Sequence, residues 1–241
     1  MNIKEIDKTV KGSYENIAQL GSSNFCCRPS AIYSPEELEG IPESVLNLSS
    51  GCGNPVTSAE LKEGEVILDI GSGGGIDLFL AAKRVGENGR VIGVDTSTTM
   101  IERALESVKE AGVENIEFRY GDARNLPIEN DSIDVLISNC VIATIPEKDK
   151  VYAEIFRVLR PGGRILVSDV ISDGELPDSI KNSPEAWAKC VVGIPEEDYL
   201  GVIKKTGFKD IEVSEKTDVP FPDGIRILSL KVKAYKPMEV K

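Results

Sequence analysis

The sequence contains no histidine, and that absence removes a large share of enzyme chemistry. Without imidazole there is no His-based metal site and no histidine general base. Zinc ribbons go too, because the five cysteines, Cys26, Cys27, Cys52, Cys140 and Cys190, include no C-x-x-C pair. An odd number of cysteines with no export signal points to reduced thiols rather than a disulfide framework. Apolar residues nowhere run for the roughly 20 positions a membrane helix needs. The N-terminal stretch MNIKEIDKTVKGSYENIAQL lacks the apolar core and small-residue cleavage site of a signal peptide, so a cytoplasmic location is expected. Positive charge is scarce as well: 28 Lys and Arg stand against 40 Asp and Glu, a net charge of -12. Such a surface repels phosphate backbones and anionic membranes, so neither nucleic acid nor a membrane is an expected partner. Small neutral or cationic partners remain.

What is present suits one sizeable core, or one core with a small appended region: 241 residues, 41% of them hydrophobic. Ile3, Ile6, Val10 and Ile17 lie near helical spacing and predict a short amphipathic helix over residues 1–20. An irregular Gly/Ser/Pro-rich run follows, expected to hold two short helices between turns. From Glu65 the pattern becomes regular, with apolar strands EVILDIG, RVIGVDTS, IEFRYGD, SIDVLISNC and RILVSDV. Between them lie helical stretches IDLFLAAKRVG, TTMIERALESVKEAG and KVYAEIFRVLRPGG, the last stopped by Pro-Gly-Gly. Alternation of buried strands with helices predicts an α/β fold, a doubly wound and mostly parallel sheet. PEAWAKCVVG and EEDYLGVIKKTG read as further helices, and the tail as two strands able to complete the sheet edge. The boundaries expected are 1–62 for an N-terminal helical and irregular segment, 63–172 for a cofactor-binding core, and 173–241 for a C-terminal covering segment.

LDIGSGGGID follows a strand and opens a helix, where glycines let the backbone turn sharply and approach a ligand. A nicotinamide or flavin fingerprint would place its third glycine at Ile76, which weakens that reading. Asp69, Gly71, Gly73 and Gly75 instead resemble motif I of the class I S-adenosylmethionine methyltransferases. Asp95, ending the second strand, can accept hydrogen bonds from both ribose hydroxyls. The resemblance places Asp122 at the adenine and Asn139 beside the reacting groups. It adds Ser72, Thr96, Met100 and Ala123 to the cofactor-binding set. Read locally, each aspartate is also a cap for the turn or helix after it.

The cysteines narrow the substrate. Cys140 ends the fourth strand, where this fold puts its active site; Cys52 lies in SSGCGNP and Cys190 in PEAWAKC. Taken singly, each is equally a small buried hydrophobe. Together with YSPEELEGIP, SSGCGNP, ILDIGSGGGIDLFLAAKRVG, LPIENDSIDVLISNCVI and FRVLRPGGRILVSD, they make the chain similar to the arsenite methyltransferases of bacteria, archaea and animals. That resemblance implies S-adenosylmethionine as cofactor, with Cys52, Cys140 and Cys190 as ligands of trivalent arsenic. It further implies Cys26 or Cys27 as a thiol relay, and a cellular thiol as reductant. Where the family pattern continues with Asn-Leu after SNCVI, this chain has Ala143, Thr144 and Ile145.

The chemistry agrees with the inventory. Trivalent arsenic is soft and prefers thiolate sulfur to oxygen or imidazole. Three converging thiolates leave its lone pair free to take a methyl in line, without a general base. Two other readings are open at this level: a C- or O-methyltransferase of a small molecule such as a quinone, in which the cysteines only pack, and a cofactor-binding sensor without transfer activity.

Overall fold

The computed structural model describes residues 2–21, 28–190, 192–219 and 226–238. Cys26 and Cys27 lie outside them. The chain opens with α1 (Ile3–Leu20), a 3-10 turn (Pro29–Ala31), and three short helices, α2 (Pro35–Leu38), α3 (Glu43–Leu48) and α4 (Pro55–Ser58). The sheet region runs β1 (Val66–Ile70), α5 (Ile76–Val85), β2 (Arg90–Asp95), α6 (Thr98–Ala111), β3 (Ile116–Tyr120) and β4 (Ile133–Asn139). It continues with α7 (Lys148–Val158), β5 (Leu159–Ser172), α8 (Asp178–Lys181), α9 (Pro184–Ala188), α10 (Glu196–Thr206), β6 (Lys209–Val219) and β7 (Ile227–Tyr235).

The strands form one seven-stranded sheet in the order β3-β2-β1-β4-β5-β7-β6. Six run in one direction, and β7 alone is reversed, pairing antiparallel with β5 and β6 on its two sides. This is the doubly wound, mostly parallel sheet that the alternating pattern predicts, and the two tail strands complete its edge. The order reverses beside β1, so β1 and β4 diverge into a crevice at their carboxyl ends, where open α/β sheets bind ligands.

Both faces are covered. Ile67, Val91, Val135 and Leu166 pack with Leu78, Phe79 and Val85 of α5 on one face. Leu68, Ile92, Leu136, Ile165 and Val232 pack with Tyr152 and Ile155 of α7 and Tyr199 and Ile203 of α10 on the other. Near-continuous apolar strands of this kind need a helix on each side to leave water, which sets the three-layer arrangement. Helix α1 is the exception, for it lies across the carboxyl ends of the strands. Its Ile6 packs with Trp187, Val170 and Cys140, while Ile17 and Ala18 pack with Leu48 and Met100. Among the described residues no helix is long and apolar enough to cross a membrane.

Three local expectations shift. The Gly/Ser/Pro-rich run holds three short α-helices rather than two. Pro-Gly-Gly does not end α7, which stops at Val158; Leu159 is already paired with Ile133. The register then slips, so that Val135 pairs Arg164, and Arg160–Gly163 form the bulge, with Gly162 at φ 80. In PEAWAKCVVG the helix is brief, ending at Ala188, and leaves Cys190 beyond it.

A buried polar chain stiffens this core. The Tyr152 hydroxyl donates to the Tyr199 hydroxyl at 2.9 Å, and the latter donates to Asp169 Oδ2 at 2.8 Å. Burial pushes the Asp169 carboxyl up to about 6, against the pull of Lys148 and the Tyr199 hydroxyl. A carboxyl raised on folding favours the native state most when protonated, below its unfolded value near 3.9, and that advantage is lost as pH rises through about 6. Asp169→Asn does not titrate. Urea melts should therefore show this variant gaining roughly 2–3 kcal/mol relative to wild type between pH 4 and pH 7. A difference that does not change with pH contradicts the assignment.

Candidate active site

The parallel pairing of β1 with β4 carries two loops to the same level of the crevice. Ile70 is opposite Ser138, so the glycine loop starts beside Asn139 and Cys140. Gly71, Gly73 and Gly75 all have positive φ, at 70, 51 and 92. At Gly71 space forbids a side chain as well, since a Cβ would lie 2.3 Å from Val141 Cγ2. The loop bounds a cavity of about 310 Å³ lined also by Asp95, Thr96, Met100, Asp122, Ala123, Asn139 and Cys140. Asp69, Gly71, Ser72 and Gly73 line it too, whereas Gly75 of the glycine motif does not.

Two carboxylates from neighbouring strand ends shape its chemistry. Asp95 accepts from the Gly73 amide at 2.9 Å and the Ser97 amide at 2.9 Å. Burial nevertheless raises its carboxyl above the ordinary range. Asp69 is raised well above its ordinary value, first by burial and then by the like charges of Asp77 and Asp95. Carboxylates that penalise one another in a half-enclosed cavity are relieved by a cationic ligand. S-adenosylmethionine carries an ammonium and a sulfonium, and its ribose offers two donors to a carboxylate such as Asp95. The residues present fit that group.

Asp122 is held differently. Arg124 reaches Asp122 Oδ2 at 2.7 Å through Nη2, and its Nη1 also donates to Asp7 Oδ2 of α1 at 2.9 Å and Glu147 Oε2 at 3.0 Å. Arg124 thus ties α1 to the rim of the cavity.

The three cysteines among the described residues fall in one cluster beside the cavity. All are free thiols, Cys140 buried and Cys52 and Cys190 half-buried. Cys140 and Cys190 both sit at positive φ, 61 and 55, which is uncommon away from glycine and collects at functional sites. Cys52 and Cys190 pack into one cluster with Cys140, and the neighbouring Cys190 and Cys52 thiols together with burial push the Cys140 thiol well above its usual range. Cys190 moves the other way, lowered by the Cys140 thiol and by Tyr14 and opposed by burial, so it ionises before Cys140. Cys190 Sγ lies 3.3 Å from the Tyr14 hydroxyl and 3.5 Å from the Cys140 carbonyl oxygen. Among the described residues no group of three or more Cys, Asp or Glu side chains is placed to hold a metal ion. The three cysteines share one cluster, and of the three Cys140 alone borders the cavity.

Several residues escaped the sequence reading. Tyr14 sits 176 positions from Cys190, with nothing local to mark it. Tyr33 and Asp77 lie inside stretches already singled out, YSPEELEGIP and GSGGGID, yet their partnership shows only in three dimensions: the Tyr33 hydroxyl donates to Asp77 Oδ1 at 3.0 Å. Lys148 is a buried cation that donates to the carbonyls of Ala143 and Ile145 and lies over the Trp187 ring, with burial lowering it to about 8. It anchors the Ala143–Ile145 turn where the chain departs from the family pattern.

Comparison with known proteins follows the same lines. Residues 61–215 match the family described as "Methyltransferase domain". The arsenite methyltransferase of Halobacterium salinarum is 41% identical over 187 residues, 77% of this chain and 48% of that protein. A demethylmenaquinone methyltransferase of Lactococcus lactis is 36% identical over 168 residues, 70% of this chain and 64% of that protein. Among solved structures, an arsenic (III) S-adenosylmethionine methyltransferase of Chlamydomonas reinhardtii superposes with a TM-score of 0.77 at 32% identity, covering 84% of this chain and 73% of that one. The chain spans about half the length of the Halobacterium relative.

Because Asp95 is the carboxylate that ends β2 at the cavity, Asp95→Ala should weaken S-adenosylmethionine binding by about 1.5–3 kcal/mol, the range for a hydrogen bond to a charged group. Titration calorimetry reads this directly, and unchanged affinity removes Asp95 from the binding set.

Proposed function

The chain belongs to the arsenite methyltransferase family, within the methyltransferase-domain proteins, and from that premise we propose that it moves a methyl group from S-adenosylmethionine to trivalent arsenic held by Cys52, Cys140 and Cys190. The observation that supports this reading is that Cys52 and Cys190 pack into one cluster with Cys140, which itself borders the glycine-loop cavity.

The cofactor supplies an electrophilic methyl on a sulfonium, which becomes a neutral thioether once the methyl has gone. The protein's part is geometric. Thiolates on three separate segments hold arsenic by its three bonds and turn its lone pair towards the cavity, at the roughly 3–3.5 Å separation that in-line transfer requires. Helix α1, pinned by Arg124, and the segment bearing Cys190 keep water away from a step in which charge disappears. Asn139, Asp69 and Asp95 border the cavity, and no residue is needed as a base.

Transfer leaves arsenic two electrons more oxidised, bonded to the methyl and three sulfurs and positively charged. A fourth thiolate attacks one of those sulfurs, a disulfide forms, and the electron pair returns to arsenic, which keeps the methyl and two sulfurs. A cellular dithiol then reduces the disulfide. Cys26 or Cys27 is the fourth thiol on this reading. Residues 63–172 form the cofactor-binding core, with 1–62 as a cover and 173–241 supplying both a substrate-covering segment and the edge strands β6 and β7. The substrate is arsenite or its thiol conjugates, with neither nucleic acid nor membrane as partner, in the cytoplasm.

Serine keeps the size of cysteine and loses its softness. Each of Cys52→Ser, Cys140→Ser and Cys190→Ser should slow single-turnover methylation of arsenite by about 100-fold or more, roughly 3 kcal/mol in barrier. Affinity for S-adenosylmethionine should stay close to wild type. Near wild-type rates for both Cys140→Ser and Cys190→Ser overturn the reading in favour of an ordinary small-molecule methyltransferase.

A further inference from the structure

The loop bearing Cys52 contains no regular structure at the cysteine itself, so something else must fix where that thiol stands. One side chain does most of it. Asn139, the last residue of β4, accepts through Oδ1 from the backbone amides of Cys52 at 3.0 Å and Gly53 at 3.1 Å. Its Nδ2 donates to the Gly53 carbonyl at 2.6 Å and to Asp77 Oδ2 at 3.0 Å, and lies 3.2 Å from the Tyr33 hydroxyl. Both hydrogens and both lone pairs of the amide are thereby occupied. Although Asn139 borders the cavity, its polar atoms serve the Cys52 loop.

The loop is shaped to receive it. A Cβ on Gly51 would stand 2.3 Å from Asn139 Nδ2, and one on Gly53 would stand 2.7 Å from Ser168 Oγ. Glycines on both sides of Cys52 therefore permit the close approach. The Ser229 hydroxyl donates to the Cys52 carbonyl at 3.2 Å, and Glu37 accepts from Asn54 Nδ2 at 3.1 Å, holding the loop from its other sides. Asp77 is buried, and its two oxygens receive Tyr33 and Asn139 separately, so the tyrosine and the amide are locked in one orientation.

We propose that Asn139, oriented by Asp77 and Tyr33, is a positioning residue that delivers the Cys52 thiol to arsenic as the third ligand. This rests on the reading of Cys52 as an arsenic ligand. Only a side-chain amide supplies acceptor and donor together at this place. Leucine fills the volume with neither, and aspartate accepts only and sets a second carboxylate against Asp77. Cys190 Sγ reaches the Cys140 carbonyl oxygen without passing through Asn139, so among the three thiols a defect at Asn139 falls on Cys52.

Arsenic chemistry separates these effects. Inorganic arsenite offers three bonds to sulfur, whereas in phenylarsenite one bond is taken by carbon and two thiols suffice. The experiment is titration calorimetry of wild type, Asn139→Leu and Asn139→Asp with arsenite, phenylarsenite and S-adenosylmethionine. Wild type binds both arsenicals. In each variant, arsenite affinity should fall roughly 10–100-fold, the range for losing a group that orients a ligand. Phenylarsenite and S-adenosylmethionine should bind within about threefold of wild type. The proposal is overturned if both variants bind arsenite like wild type, or if all three ligands weaken together, which would make the amide a support for the whole site. Wild type that binds neither arsenical instead overturns the functional reading itself.

Discussion

The pairing of β1 with β4 is the constraint on which the site depends. Ile67, Leu68, Asp69 and Ile70 stand opposite Val135, Leu136, Ile137 and Ser138, so the glycine loop and the Asn139-Cys140 pair leave the sheet side by side. A shift of one residue in that register would turn every strand side chain to the other face and separate the cavity from its cysteine. Gly71 shows how close the two loops lie, for nothing larger than hydrogen fits between its Cα and Val141. Cofactor pocket and thiol site are therefore consequences of one ladder of hydrogen bonds. Everything else brings segments to that fixed point.

Those segments come from far apart. Cys52 precedes the sheet, Cys190 follows β5, and Tyr14 arrives on a helix laid over both. On the proposed function, a soft, three-bonded substrate gives these segments a reason to converge, since one thiol is a weak site and three are a specific one. The same proposal needs no histidine, because the lone pair of such a substrate would do what a general base otherwise prepares. The two cysteines in left-handed backbone conformation, Cys140 and Cys190, are held there by surrounding structure at some local cost.

The fold was legible from the sequence because its signals are local. EVILDIG, RVIGVDTS and SIDVLISNC are apolar runs that only a parallel sheet buries on both faces, and glycines mark the loop after the first. The antiparallel β7 was harder to place, and the bulge at Arg160–Gly163 was hidden because Pro-Gly-Gly stops a helix as readily as it bends a strand. At the site, sequence position alone picked out Cys140, Asp95 and the glycine loop. It did not separate binding a cofactor from holding a loop: Asn139 ends β4 in either case, and only its five close contacts reveal that its amide faces Cys52 and Gly53. Tyr14 had no local signature, since a half-buried tyrosine on an amphipathic helix is ordinary until its partner is known.

On the proposed function, three sulfurs of one chain surround one arsenic atom beside the cofactor cavity. X-ray absorption at the arsenic edge, on wild-type protein loaded with one equivalent of arsenite, counts those neighbours. The expected arsenic shell has three sulfurs and no oxygen. A shell dominated by oxygen, or one holding a single sulfur, would contradict it and return the cysteines to simple packing.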